Sequence, residues 1–310
     1  MPSYPTLLDM AKRNGRDRAV PLIEETSRFI PEISGVDDTG RVIPGVGSVR
    51  TIKGINYKTL VRTSNPTVAF RDANEGVTVS TSGYENRTVE TFILNPRWEA
   101  DKAIADRSED GPDAYIADEA MATMEASMQL LGRQFFYGRL SGTGDAKGFP
   151  GLVDSVISTY ATNKSGSAGS CHSLYAVKFG PTDVQWVYGE NGTLQVSDKR
   201  IETVYRSSLP MTAYVQDILA YPGVQVGSTR SVGRLYGLDG TSGKALTDAF
   251  IYALLAKMQV RPDVLFTTRT GLEELRASRT ATNPTGAPAP RPTEIDGIPI
   301  VATQSLLDTE

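Results

Sequence analysis

Residues 112–137 carry apolar side chains at helical spacing over a longer run than any other part of the chain. Ala117, Met121, Met124, Met128, Leu131 and Phe135 follow at steps of four, three, four, three and four, which stacks them on one helix face. Gly111 and Pro112 suit the entry, because proline's missing donor would be unpaired in the first turn anyway. Asp113, Asp118, Glu119 and Glu125 crowd the start and Arg133 and Arg139 the end, signs that complement the helix dipole. A helix over 113–137 is about 37 Å long at 1.5 Å per residue. Such a rod, with a narrow stripe, acts as a beam between parts of a fold, and packing rather than a cofactor groove accounts for its methionines.

Upstream, the period changes to two. Ile55, Tyr57, Thr59 and Val61 alternate with Asn56, Lys58, Leu60 and Arg62; further on Val77, Val79 and Thr81 alternate with Thr78, Ser80 and Ser82. Turn signals in "SNP", "DANEG" and "TSGYEN" separate these into strands of one or two long hairpins. Between residues 71 and 90 only Ala73, Val77, Val79, Tyr84 and Val89 are apolar, too few for a core on either face. A lone hairpin is marginal in water, so this one is expected to lie against another molecule.

The first fifty residues are broken by Pro2, Pro5, Pro21, Pro31 and Pro44 and by Gly35, Gly40, Gly45 and Gly47. No long helix or central strand fits between such breaks. There is room for one short helix over 7–14; the rest reads as an extended arm whose Leu22, Ile23, Phe29 and Ile30 need a surface. Residues 151–279 read as the compact part, with strands in "SLYAVKF", "VQWVYG", "RSVGRLYGL" and "DVLFTT" and a helix over 245–258. A second helix is expected from Thr270, where Thr270 and Glu273 have capping-box spacing. A Pro/Gly loop over 280–294 then leads to a last strand in "IDGIPIVATQSLL".

With 310 residues, 39% apolar and 22% charged, the chain can build a real core and is not wholesale disordered. Its longest strongly apolar stretch, 249–258, is too short to span a bilayer, and residues 1–20 lack a signal-peptide core, so a soluble intracellular protein without a membrane partner is expected. One cysteine, Cys171, and one histidine, His172, exclude an internal disulfide and a zinc site. As neighbours entering a strand they point to opposite faces, which suits a loop pair better than a nucleophile and its base. The net charge of −4 comes without a basic stripe, and "AKRNGRDR" at 11–18 reads as a solvated arm rather than a nucleic-acid contact.

Two stretches approach a phosphate-binding loop and miss. "GTGDAKGF" places Lys147 before Gly148 and Phe149 where a hydroxyl is needed, and it follows a helix instead of a strand. Its glycines suit a flexible joint after the long helix. "LDGTSGKAL" has Gly243 and Lys244 in the right order, but Leu238 replaces the first glycine and Ala245 the hydroxyl. The carboxylate pairs Glu24–Glu25, Asp37–Asp38, Glu109–Asp110 and Glu273–Glu274 are sequence neighbours, which cannot face each other across a cleft. No catalytic, cofactor-binding or metal-binding residue is assigned, and no cofactor is expected.

An arm, a weakly apolar hairpin, a beam helix and a compact body make a chain whose extended parts need neighbours. That order resembles the tailed-bacteriophage major capsid proteins of the HK97 fold. "SVRTIKGINYKTLVRTSNPTVAFRDANEGV" is similar to the extended-loop lead-in of the phage epsilon15 coat-protein subgroup. "ETFILNPRWEADKAIAD", "QFFYGRLSGTGDAKGFPGLVD", "VKFGPTDVQWVYGENG", "RSVGRLYGLDG" and "GIPIVATQSLLDTE" match its style in the same order. The resemblance implies an α+β fold divided into an N-terminal arm (1–49), an extended β-hairpin loop (50–94), a peripheral domain (95–150) with a spine helix over 113–137, a compact α/β axial domain (151–284) and a C-terminal strand returning toward the peripheral domain (285–310). It further implies a non-enzymatic protein that self-assembles in the host cytoplasm into hexamers and pentamers. These would form the icosahedral virion shell around double-stranded DNA, with portal and scaffolding or decoration proteins as partners. An encapsulin-like nanocompartment shell, a phage tail-tube subunit and a nucleotide-binding enzyme using Lys147 or Lys244 are the alternatives. Lys53 and Lys58 lie in the hairpin region, but no motif assigns them a crosslinking role.

Overall fold

The computed structural model describes residues 6–14 and 25–310. Leu22, Ile23, Glu24, the prolines at 2, 5 and 21 and the end of the 11–18 basic stretch lie outside the described residues. Helix α1 (Leu7–Asn14) and a single turn α2 (Pro31–Ser34) precede strand β1 (Val49–Thr51) and the hairpin β2 (Asn56–Ser64) and β3 (Gly83–Glu90). Strand β4 (Arg97–Asp101) and the turn α3 (Lys102–Ala105) lead into the 26-residue helix α4 (Pro112–Tyr137). A glycine-rich loop, the turn α5 (Leu152–Ser155) and strands β5 (Ala161–Asn163), β6 (His172–Val177) and β7 (Val184–Tyr188) follow. Next come β8 (Gln195–Val196), the hairpin β9 (Arg200–Arg206) and β10 (Leu209–Leu219), β11 (Pro222–Val226) and β12 (Val232–Leu238). Helix α6 (Asp248–Lys257), β13 (Val264–Thr267), helix α7 (Arg269–Ala281), β14 (Glu294–Ile295) and β15 (Ile298–Ala302) complete the chain.

A mixed six-stranded sheet, ordered β14-β15-β13-β6-β12-β5, forms the centre of the body. Its middle strand, β6, is buried along its whole length, so both of its alternating faces are apolar. Leu174 and Ala176 pack with Leu235 and Leu265 beneath α6 and α7, which contribute Ile251, Leu254, Leu272 and Leu275. Tyr175 and Val177 face the other way, onto Phe135, Phe136 and Tyr137 at the end of α4 and onto Phe179, Trp186 and Phe266. Phe135 stacks on Trp186 at 5.0 Å between ring centroids, and Phe136 meets Phe266 edge-on at 5.5 Å. Aromatic pairs of this kind add roughly 0.5–1.5 kcal/mol each beyond the area they bury.

The start of α4 belongs to a different core, in which Tyr115 and Ile116 pack with Met10, Trp98, Ala100 and Tyr214. The helix is thus a beam held at both ends. The continuous stripe expected from the spacing is buried only at Leu131 and Phe135, while Ala117, Met121 and Met128 are exposed. The cause is geometric: the first turn docks through Tyr115 and Ile116, off the stripe, and the last turn is enclosed on all sides, leaving the middle bare.

Three local expectations also shift. The alternation at 77–82 is not a strand; β3 lies at 83–90, beginning inside the stretch read as a turn, with Tyr57 opposite Val89 and Arg62 opposite Tyr84. Residues 65–82 form the tip, and "DANEG" supplies its turn, where Glu75 N–H donates to the Asp72 carbonyl at 3.2 Å. Helix α7 is capped by Thr268, whose Oγ1 accepts from Gly271 N–H at 3.1 Å, whereas the Thr270 hydroxyl donates to Asp308. The β9–β10 hairpin is the longest ladder in the body and pairs with β4, ahead of α4 in sequence. Its two-residue turn uses Ser207 and Ser208 at φ 49° and 67°, without the Asn-Gly or Gly signature that marks such turns.

Candidate assembly interface

The β2–β3 hairpin is anchored at its base. The Tyr57 hydroxyl donates to Gln225 Oε1, which also accepts from Gln185 Nε2 at 2.8 Å, while Gln225 Nε2 donates to the Pro181 carbonyl at 2.9 Å. The Arg50 guanidinium stacks 4.0 Å over the Tyr57 ring, and Thr91 N–H donates to the Ile55 carbonyl at 2.8 Å. Burial pushes the Tyr57 phenol above its ordinary range, so it stays a neutral donor.

Beyond this base none of the described residues outside the hairpin packs against its exposed apolar tip. At its tip the Phe70 side chain is fully exposed (107%) and Val79 is 89% exposed. Leu60, Val68 and Val77 are exposed too, an apolar set that gains nothing from water. The middle of α4 presents a second bare surface, with Met121 69% exposed, and Leu130 further along the helix is exposed together with Ile93 beside it. Beside it lies an apolar hollow of 200 Å³ lined by Leu94, Pro96, Met124, Met128, Tyr188 and Ile218. The β9–β10 hairpin adds a third, through Ile201, Tyr205 and Leu209. These are the features of a surface that assembles.

The stretches that approach phosphate loops are built for packing. In the loop after α4, a Cβ on Gly144 would overlap the Gly138 carbonyl, and one on Gly151 would overlap the backbone of Gly138. Gln134 grips the loop, accepting from Asp145 N–H at 2.9 Å and donating to the Asp145 and Phe149 carbonyls at 3.1 and 2.7 Å. Asp154 accepts from Arg139 N–H and Gly151 N–H, both at 3.0 Å. The glycines expected to make a flexible joint instead allow close backbone approach in a tightly bonded one. In the second stretch, the Lys244 ammonium lies 3.7 Å from Asp239. Hydrogen bonds from Thr241, then from Ser167, together with the Lys244 charge, hold the Asp239 carboxyl down at about 2. That carboxylate occupies the place where a phosphate loop would offer free donors.

Cys171 and His172 are both buried. The thiol donates to the Ser167 carbonyl at 3.0 Å and burial pushes it up, away from the reactive thiolate. His172 Nε2 lies 3.4 Å from Glu274, whose Oε2 accepts from Leu246 N–H. The exposed acidic pairs are turn and surface groups: Asp37 accepts from Thr39 and Arg41, and Asp38 pairs with Arg291. Two carboxylates, Glu310 largely enclosed and Glu32 fully buried, escape the sequence reading altogether. Glu310 accepts from Tyr137 at 2.6 Å and from Arg234 at 2.9 Å, and Glu32 lies against Thr303. No sequence signal marks them, because each is neutralised or bonded by residues more than 70 positions away.

The family model for major capsid protein GP7 matches residues 47–310. The chain belongs to that family. Among solved structures, that of bacteriophage epsilon15 aligns over 100% of this chain and 97% of that chain, with a TM-score of 0.65 and 16% identity. The capsid of Myoviridae phage XM1 aligns over 74% of this chain and 98% of its own, at TM-score 0.48 and 11% identity. The SrpI encapsulin of Synechococcus elongatus PCC 7942 aligns over 72% and 96%, at 0.43 and 11%. No curated protein sequence matches the chain.

The capsid protein therefore has the α+β HK97-like fold that its sequence resembles, and its place is the icosahedral shell of a tailed-phage virion.

Proposed function

We propose that the subunit assembles in the host cytoplasm into hexamers and pentamers that tile the head around double-stranded DNA, without sequence-specific contacts and without catalysis. The hairpin carries this reading, because its base is locked by Tyr57 and Gln225 while its apolar tip is exposed among the described residues. In this scheme residues 1–49 are an arm, 50–94 the extended loop, 95–150 the peripheral domain, 151–284 the axial domain and 285–310 the returning segment. Within this scheme the ladder between β10 and β4 ties residues 209–219 of the axial stretch to the strand that precedes α4. Portal and scaffolding or decoration proteins are the expected further partners. The mild acidity fits such a wall, since a strongly basic one would hold DNA by its phosphates and resist ejection.

Particles purified from infected or lysogenic cells test this. Nuclease-protected double-stranded DNA inside them is the expected content; a packed protein cargo without DNA would instead establish the nanocompartment alternative.

A further inference from the structure

Glu32 is the one acidic side chain of the single-turn α2, and it is fully buried. Thr303 Oγ1 donates to its Oε2 at 2.8 Å, and the Trp186 indole N–H donates to its backbone carbonyl at 3.1 Å. Its Oε1 and the adjacent Ser305 Oγ sit side by side without a hydrogen bond of good geometry to anything. Both atoms occupy the space that a Cβ on Gly132 would fill, so α4 can accept this carboxyl only where it has a glycine. The groups facing it are Gly132 of α4, Thr303 and Ser305 of the C-terminal segment, Trp186 of β7 and Ile30 of its own segment. Among the described residues none of these is charged or titratable at the facing atoms, so a carboxylate here has no cation to offset its burial.

We propose that Glu32 is a proton-operated latch: a protonated carboxyl docks the 29–36 segment onto α4 and the C-terminal segment, and ionisation loosens it. The proton resolves the orphaned pair, because a carboxylic O–H at Oε1 donates to Ser305 Oγ while Oε2 continues to accept from Thr303. Burial, only partly opposed by the Ser305 and Thr303 hydroxyls, raises the group from an ordinary 4.5 to about 7. The docked state thus binds more protons than the undocked one, and its advantage is complete below about pH 4.5 and lost as pH climbs toward about 7. Across that window the undocked population rises about tenfold per pH unit, then levels off. The latch does not depend on shell formation and operates in the single subunit.

Hydrogen exchange of the full chain between pH 5 and 8 reads the latch through the Ser34 and Gly35 amides, which donate to Ile30 and Pro31 at 3.0 and 2.9 Å. Protection factors, already corrected for intrinsic exchange, are expected to fall about tenfold per pH unit up to neutrality in the parent. In Glu32→Gln, whose amide can donate to Ser305 at any pH, protection stays flat. Gly132→Ala fills the pocket and removes protection of these amides at every pH, while those of β6 stay protected. Parent protection that does not change with pH, or a Glu32→Gln chain with the parent's slope, overturns the proposal.

Discussion

Gln134, in the last turn of α4, donates from Nε2 to the Phe149 carbonyl at 2.7 Å, fastening the helix end to the far side of the glycine-rich loop. Its Oε1 accepts from Asp145 N–H in the same loop, so one side chain sets the loop's path in both directions. Gln134→Leu, nearly isosteric, leaves buried loop groups unpaired at roughly 1–3 kcal/mol each. We expect a loss of about 3 kcal/mol in subunit stability, read as a lower urea midpoint at unchanged slope.

The two ends and the middle of α4 should respond oppositely. Phe135 is fully buried and stacked on Trp186, and Phe135→Ala is expected to cost about 3–5 kcal/mol of subunit stability. Met121 is 69% exposed, so Met121→Ala should leave the same midpoint within about 0.5 kcal/mol, yet lower the yield of shells in a sedimentation assay. Equal destabilisation by both would show that the middle of the helix is buried within its own chain.

Tyr57→Phe removes the hydroxyl that fixes the hairpin base to Gln225 and leaves the ring beneath Arg50. The cost is expected to be about 1 kcal/mol, confined to the hairpin. Hydrogen exchange should accelerate at the β2–β3 amides and stay unchanged in β6 and β13.

Much of this was legible in the sequence because it rests on local periodicity. The 3.6-residue spacing located α4, period two located β2, and apolar runs bounded by turn residues located β6 and β7 within a few residues. What failed to show depends on distant partners. The stripe on α4 looked continuous because spacing reports a face and not its neighbours; the two docking ends are chosen by β4, β10 and the aromatic core. The β9–β10 hairpin was hidden by its Ser207–Ser208 turn, and β3 by a Gly83 that lies within the ladder. Glycines at 138, 144, 148 and 151 read as flexibility, but their role is close backbone packing, which only the folded contacts reveal. The resemblance in the order of parts supplied the capsid assignment that no single motif could.

The central claim is that the hairpin tip is an assembly element with no role in the subunit's own stability. Electron microscopy should compare the parent chain with one in which residues 65–82 are replaced by a two-residue turn, alongside the thermal melt of each. The account predicts closed shells from the parent, and from the shortened chain folded subunits with the parent's melting temperature that form none. Closed shells of normal size from the shortened chain would contradict it.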